Sequence, residues 1–154
     1  MSDNNNPDWH HSFRQRGLRI TEPRKAIVEV LISTADHLSA EEIYNSVHQI
    51  YPNTGLTTVY RNLDLLEEMG IIAKFHFGDG RSRCELIQSP QKPGHHHHLV
   101  CTGCKQIIDY DDFVDEEVVL LKKVEQVLSS THNFQITGHI IQFYGVCNSC
   151  RKNT

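Results

Sequence analysis

Apolar residues recur at helical spacing in three stretches of the first half of the chain. Across residues 18–34, Ile27, Val30 and Leu31 form one stripe, with Thr21 placed to cap a helix and Pro23 near its first turn. Ser39 and Glu42 then make the Ser-x-x-Glu pattern of a capping box, ahead of an apolar face of Ile43, Val47 and Ile50 that Pro52 ends. Val59, Leu63 and Leu66, at i, i+4 and i+7, predict a third helix over residues 56–69, closed by Gly70. The period then changes to two. Ile71, Ala73, Phe75 and Phe77 alternate with polar residues as in a half-buried strand, Gly78-Asp79-Gly80 is a turn, and residues 81–87 return as a second strand. Three helices followed by a hairpin is the order of a winged-helix domain, and other small α+β domains share it.

The run Ser89-Pro90-Gln91-Lys92-Pro93-Gly94 has the composition of a linker. Beyond it, residues 95–101 and 106–110 predict two strands around a cysteine knuckle. Residues 115–130 predict a helix with Val114, Val118, Leu121 and Leu128 on one side, and residues 135–146 are rich enough in β-branched and aromatic side chains for a further strand. The predicted organisation is a polar tail (1–12), a winged-helix domain (13–88), a linker (89–94) and a second domain of β-α-β character (95–154). Halves this small have thin cores, which a metal or a second subunit commonly supplements.

Charge changes the picture only locally. The formal net charge is −4, which is acidic for a nucleic-acid binder. Yet residues 13–34 carry Arg14, Arg16, Arg19, Arg24 and Lys25 against Glu22 and Glu29, and the carboxylates gather at 109–117. Arg24 and Lys25 also fit a solvated helix face. No apolar run is long enough to span a membrane, and residues 1–12 lack the basic start and apolar core of a secretory signal, so a cytoplasmic location is expected.

Eleven histidines and five cysteines carry the candidate chemistry. Cys101-Thr-Gly-Cys104 and Cys147-Asn-Ser-Cys150 are two C-x-x-C pairs, and two pairs supply the four thiolates of a tetrahedral Zn²⁺ site. Four protein ligands leave no position for water, so such a site is structural. Cys84 lies outside both pairs and reads as a packed residue of the hairpin. In the run His95-His96-His97-His98, strand alternation sends His96 and His98 to one side and His95 and His97 to the other. Imidazoles at i, i+2 with nearby carboxylates suit Fe²⁺, Mn²⁺ or Zn²⁺. No nucleophile–base motif suggests an enzyme, and nothing suggests a small organic substrate.

These pieces together resemble the ferric uptake regulator family of metal-responsive transcriptional regulators. The carrying residues are Gly17-Leu-Arg-Ile-Thr-Glu-Pro-Arg24, His37-Leu-Ser-Ala-Glu-Glu-Ile-Tyr44, Thr57-Thr-Val-Tyr-Arg-Asn-Leu63, and His95–Cys104 with Cys147–Cys150. The resemblance implies an α+β chain, with an N-terminal winged helix-turn-helix domain and a C-terminal α/β dimerisation domain bearing a four-cysteine zinc site. It implies structural zinc at Cys101, Cys104, Cys147 and Cys150, and a regulatory Fe²⁺ or Mn²⁺ site, with Zn²⁺ as an alternative, at His37, Glu85, His96, His98 and Asp109. It implies a second regulatory site at His95, His97, Glu116 and His139. Thr57, Thr58, Tyr60 and Arg61 match the DNA-reading helix, and Arg19 joins them from the basic stretch. The expected protein is a homodimeric repressor on an AT-rich palindromic operator. Within the family the cues divide: Glu85 resembles the iron-sensing branch and Asp109 the peroxide-sensing branch. Iron-responsive regulation is the reading adopted, with peroxide sensing and then zinc uptake control as alternatives.

Overall fold

The structure, a computed structural model, describes residues 9–90 and 96–152 and divides into two compact units between Gly94 and His95. In the first unit, helices α1 (Trp9–Gln15), α2 (Glu22–Ile32), α3 (Ala40–Ile50) and α4 (Leu56–Glu68) pack with strands β1 (Leu38–Ser39), β2 (Ile72–His76) and β3 (Ser82–Leu86). The strands form one antiparallel sheet in the order β1-β3-β2. This is a winged helix: α3 and α4 make the helix-turn-helix, and β2 and β3 make the wing.

Helix α3 starts for the reason read in the sequence, and the cap expected of Thr21 at α2 is not made. Ser39 Oγ accepts from the Glu42 backbone N–H at 3.3 Å while the Glu42 carboxylate accepts from the Ser39 N–H at 2.7 Å, which satisfies two backbone donors at the start of α3. Thr21 stands at the start of α2 without a side-chain capping bond. The stripes Ala26, Ile27, Val28 and Leu31, then Ile43 and Val47, then Val59, Leu63 and Leu66 close over one core with Ile72, Cys84 and Leu86.

Several details differ from the sequence reading, among them Ile50, expected on the apolar face of α3 but 62% exposed, and Val30, only half-buried in α2. Residues 9–12, placed in a polar tail, begin α1, whose Trp9 and Phe13 are buried in this core. Two apolar residues on a single short face give too little periodicity to detect, yet they fill space beneath the other helices. Burial along β2 does not alternate strictly. Ile72 and Phe75 are buried, with Ala73 and Lys74 half-buried between them, because Lys74 is covered by Asp64 and Glu67 of α4 at 2.6 and 2.9 Å. The two-residue β1 was not anticipated, and it matters below because it pins the segment after His37 to β3.

The second unit holds β4 (His97–Cys101), β5 (Ile107–Tyr110), α5 (Val114–His132), β6 (Gln142–Gly145) and α6 (Asn148–Arg151). The sheet order is β5-β4-β6, with β5 antiparallel and β6 parallel to β4. The strand expected over 135–146 is confined to Gln142–Gly145, where β4 offers a pairing edge. Helix α5 spans the expected region, but of the expected apolar side Val114, Val118, Leu121 and Leu128 only Val114 is buried. Among the described residues of this unit the buried apolar ones are few: Val100, Cys101 and Val114. No helix among the described residues is long and apolar enough to cross a membrane.

Candidate metal centres and the exposed face of α4

The two C-x-x-C pairs converge. Cys101 ends β4, Cys104 follows in the turn toward β5, and Cys147 and Cys150 flank the start and body of α6, so that the parallel pairing of β6 on β4 delivers both knuckles to one end of the sheet. The four Sγ atoms lie within 4.8 Å of one another. Cys104 Sγ and Cys147 Sγ are 3.8 Å apart, and a tetrahedral ion with Zn–S bonds of about 2.3 Å requires sulfurs about 3.8 Å apart. The Cys147 backbone N–H donates to Cys101 Sγ at 3.2 Å, and this bond, with others from Cys104 and Gly103, lowers the Cys101 thiol to about 6. Cys150 is pushed up to about 12 by the sulfurs of Cys147, Cys104 and Cys101. Four thiolates so close together cannot all ionise without a cation to offset them. A side chain at Gly103 would place Cβ 3.0 Å from Cys150 Sγ, so the cradle is closed on that side by the absence of a side chain. The donor set and its spacing fit a zinc ion.

In the winged-helix unit, His37 immediately precedes β1 and Glu85 sits on β3, and the register Leu38↔Cys84 places their side chains together. His37 Nε2 and Glu85 Oε2 are 2.9 Å apart, with 5% and 14% of the side chains exposed. The imidazole stands edge-on to Phe75 and Phe77, at 6.2 and 5.5 Å between ring centres. An imidazole and a carboxylate held together at this depth are a donor set suited to a divalent cation. Cys84, next in sequence, points the other way into the core, and burial raises its thiol to about 11.

In the second unit the strand alternation separates the histidines as expected. His96 and His98 share a side, their rings 5.4 Å apart, and the register His98↔Asp109 brings His98 Nε2 to 3.6 Å from Asp109 Oδ1. His97 faces the opposite way, and its ring lies 6.2 Å from that of His139. The carboxylate it meets is Glu117, at 2.9 Å, and not Glu116, which is exposed. Successive residues of a helix point about 100° apart, so a string of acidic residues at the start of α5 does not reveal which one turns toward the sheet. The Tyr110 hydroxyl donates to Glu117 at 3.2 Å, and His139 pairs with Glu125 at 2.9 Å. His95 lies outside the described residues.

Helix α4 buries Val59, Asn62, Leu63 and Leu66 and leaves Thr57, Thr58, Tyr60 and Arg61 exposed, as is Arg19 in the segment before α2. Arg24 does not lie on a solvated face. Its Nε donates to Asn62 Oδ1 at 2.9 Å, its NH1 donates to the Arg19 carbonyl, and its guanidinium sits 5.7 Å from the Phe13 ring centre. Asn62 Nδ2 in turn donates to the Thr58 carbonyl at 2.7 Å. One side chain thereby ties α1, the Arg19 segment and α4 together. The sequence held no signal for this, because a bridging arginine and a surface arginine have the same spacing.

The comparisons with known proteins agree with this architecture. The ferric uptake regulator family model matches residues 15–144. The ferric uptake regulation protein of Campylobacter jejuni is 33% identical over 142 residues, covering 91% of this chain and 84% of that one. The peroxide-responsive repressor PerR of Staphylococcus epidermidis is also 33% identical, over 141 residues, covering 92% and 87%. Among solved structures, the Helicobacter pylori ferric uptake regulator, with its three functional metal-binding sites, superposes with a TM-score of 0.70 at 26% identity, covering 93% of this chain and 89% of that one. The chain belongs to the ferric uptake regulator family of metal-responsive transcriptional regulators.

Proposed function

We propose that this protein is a cytoplasmic, homodimeric repressor that binds an AT-rich palindromic operator when a regulatory divalent cation is bound, and that the cation reports iron. The observation that carries this reading is the buried His37–Glu85 pair in the unit that also carries α4. His37 and Glu85 from the winged helix, with His96, His98 and Asp109 from the second unit, form the proposed ligand set for one Fe²⁺ or Mn²⁺. Ligands drawn from both units make the ion's affinity depend on their arrangement, and a difference of about 1–3 kcal/mol would change DNA affinity roughly 5- to 150-fold. The proposed second regulatory set is His97, Glu117 and His139, with His95 beside them in sequence and Glu117 taking the place expected of Glu116. Zinc at the four thiols is structural. Thr57, Thr58, Tyr60 and Arg61 of α4, with Arg19, are the proposed DNA contacts. Dimerisation is supported by the apolar surface that the second unit leaves exposed, including Leu99, Ile108 and Leu120.

The test is fluorescence anisotropy on a duplex enriched from a randomised library by the metal-loaded protein, with Fe²⁺ or Mn²⁺ and then with chelator. A loss of affinity on chelation, reproduced by His37→Ala and His96→Ala, is expected, and equal affinity in the two conditions removes the reading. Asp109 supports a second reading, peroxide sensing. Mass spectrometry after iron loading and peroxide exposure separates the two, since a gain of one oxygen on His37 or His96 assigns the protein to the peroxide branch.

A further inference from the structure

Tyr60 and Glu41 form a contact that the family resemblance does not supply. Tyr60 lies on the exposed side of α4 with 43% of its surface accessible. Its hydroxyl donates to Glu41 Oε1 at 2.7 Å. Glu41 belongs to the first turn of α3, where its neighbour Glu42 forms the capping box with Ser39 and also accepts from the Ser39 hydroxyl at 2.8 Å. The capping box of α3 is therefore complete without Glu41. Tyr60 is the largest cause of the lowered Glu41 pKa, followed by a bond from the Glu41 backbone N–H, and Arg81, beside the turn at the tip of the wing, contributes a smaller electrostatic share. A carboxylate thus stands among the exposed residues proposed to meet DNA, where its charge opposes phosphate.

The geometry points to Glu41 as a positioning residue for sequence discrimination: by accepting the Tyr60 hydroxyl, it holds the phenol ring in one orientation and keeps that hydroxyl from the phosphates. This inference rests on the proposed DNA contact by Tyr60. A tyrosine ring has only two side-chain torsions, and a charge-assisted bond at its tip fixes both. A fixed ring presents an apolar face to a thymine methyl, which is a base-reading contact. A released hydroxyl can donate to any phosphate, which positions the protein but carries no sequence information. Glu41 therefore trades affinity for discrimination. Its charge weakens binding to every duplex, and its hydrogen bond confines Tyr60 to the contact that distinguishes sequences.

The experiment uses the full-length, zinc- and Mn²⁺-loaded protein. Affinities are measured against salt for the duplex that the wild-type protein enriches from a randomised library and for a G·C-only duplex of equal length. Glu41→Gln removes the charge and keeps an acceptor. It is expected to tighten both duplexes several-fold, shift the salt slope by about one, and leave the affinity ratio within about twofold. Glu41→Ala removes the bond as well, and its ratio is expected to fall about five- to tenfold, within the range of one base contact. In a Tyr60→Phe background Glu41→Ala is expected to lower the ratio no further. An unchanged ratio in Glu41→Ala, or losses in the double variant that multiply, overturns the inference while leaving DNA binding itself intact. Failure of the wild-type protein to enrich any duplex removes the underlying reading as well.

Discussion

The two units solve the problem of a small core differently. In the winged helix, Phe13, Ile27, Ile43, Val47, Leu63 and Leu66 are each completely withdrawn from solvent and meet in one cluster. The second unit has a nineteen-residue helix and a three-stranded sheet but buries few apolar side chains, while Leu120, Val127 and Phe143 remain more than half exposed. It also gathers four thiols whose sulfurs lie within 4.8 Å of one another. Apolar burial is the main favourable term in folding, and a unit that lacks it must draw stability from a bound ion or another subunit. The unit carrying the proposed DNA contacts is thus self-sufficient, and the unit carrying most of the proposed ligands is conditional on its environment.

The contrast is tested most severely by stripping the ion from the four thiols. Structural zinc sites contribute apparent binding energies of about 10–16 kcal/mol. Chelation is expected to abolish the helical signal of α5 and the dimer while the winged-helix resonances persist in NMR spectra. Alkylation should then label Cys101, Cys104, Cys147 and Cys150 but spare Cys84, whose buried thiol is raised to about 11. Survival of α5 and of the dimer after chelation would collapse the distinction between the units.

Smaller effects sharpen it. Leu63→Ala empties a fully buried site and is expected to cost the winged helix about 2–5 kcal/mol in urea melts. Leu120→Ala, at a position 62% exposed, should leave monomer stability unchanged and weaken self-association, read by sedimentation across a dilution series. Ser39→Ala removes half of the capping box and should cost about 1 kcal/mol, a loss visible in the same melts. The smallest change concerns the wing tip. The Arg83 guanidinium, 2.6 Å from Asp79, holds that carboxyl at about 2 instead of 3.8. A depressed folded value means that the contribution is complete above about pH 4 and is lost as pH falls toward 2. Asp79→Asn should therefore lower stability at neutral pH by about 1 kcal/mol or less, the scale of a single ion pair on a hairpin, and should flatten the stability profile between pH 4 and pH 2.

Much of the first unit is legible in the sequence. Helices α2, α3 and α4 follow from apolar periodicity, and α3 also from its capping box, both of which are local properties of the chain. The wing follows from an alternating run broken at Gly78-Asp79-Gly80, where both glycines adopt positive φ of 80° and 79°. The cysteine pairs were legible because a C-x-x-C spacing limits where two sulfurs can go. Helix α1 was missed because its burial depends on space left by the other helices. The strand over 135–146 was overextended because β-rich composition says nothing about where a partner edge begins and ends.

What the residues alone determined is the order of elements, the four-thiol set and the two-sided histidine run, since each depends on spacing within a short stretch or on the period of a strand. Tertiary structure alone decided that Glu117 and not Glu116 faces His97, that Arg24 braces α4 from within, and that Tyr60 rests on Glu41. These pairings join residues 20, 38 and 19 positions apart. Across such separations the packing of whole helices sets the angle at which a side chain arrives, and spacing along the chain carries no record of it.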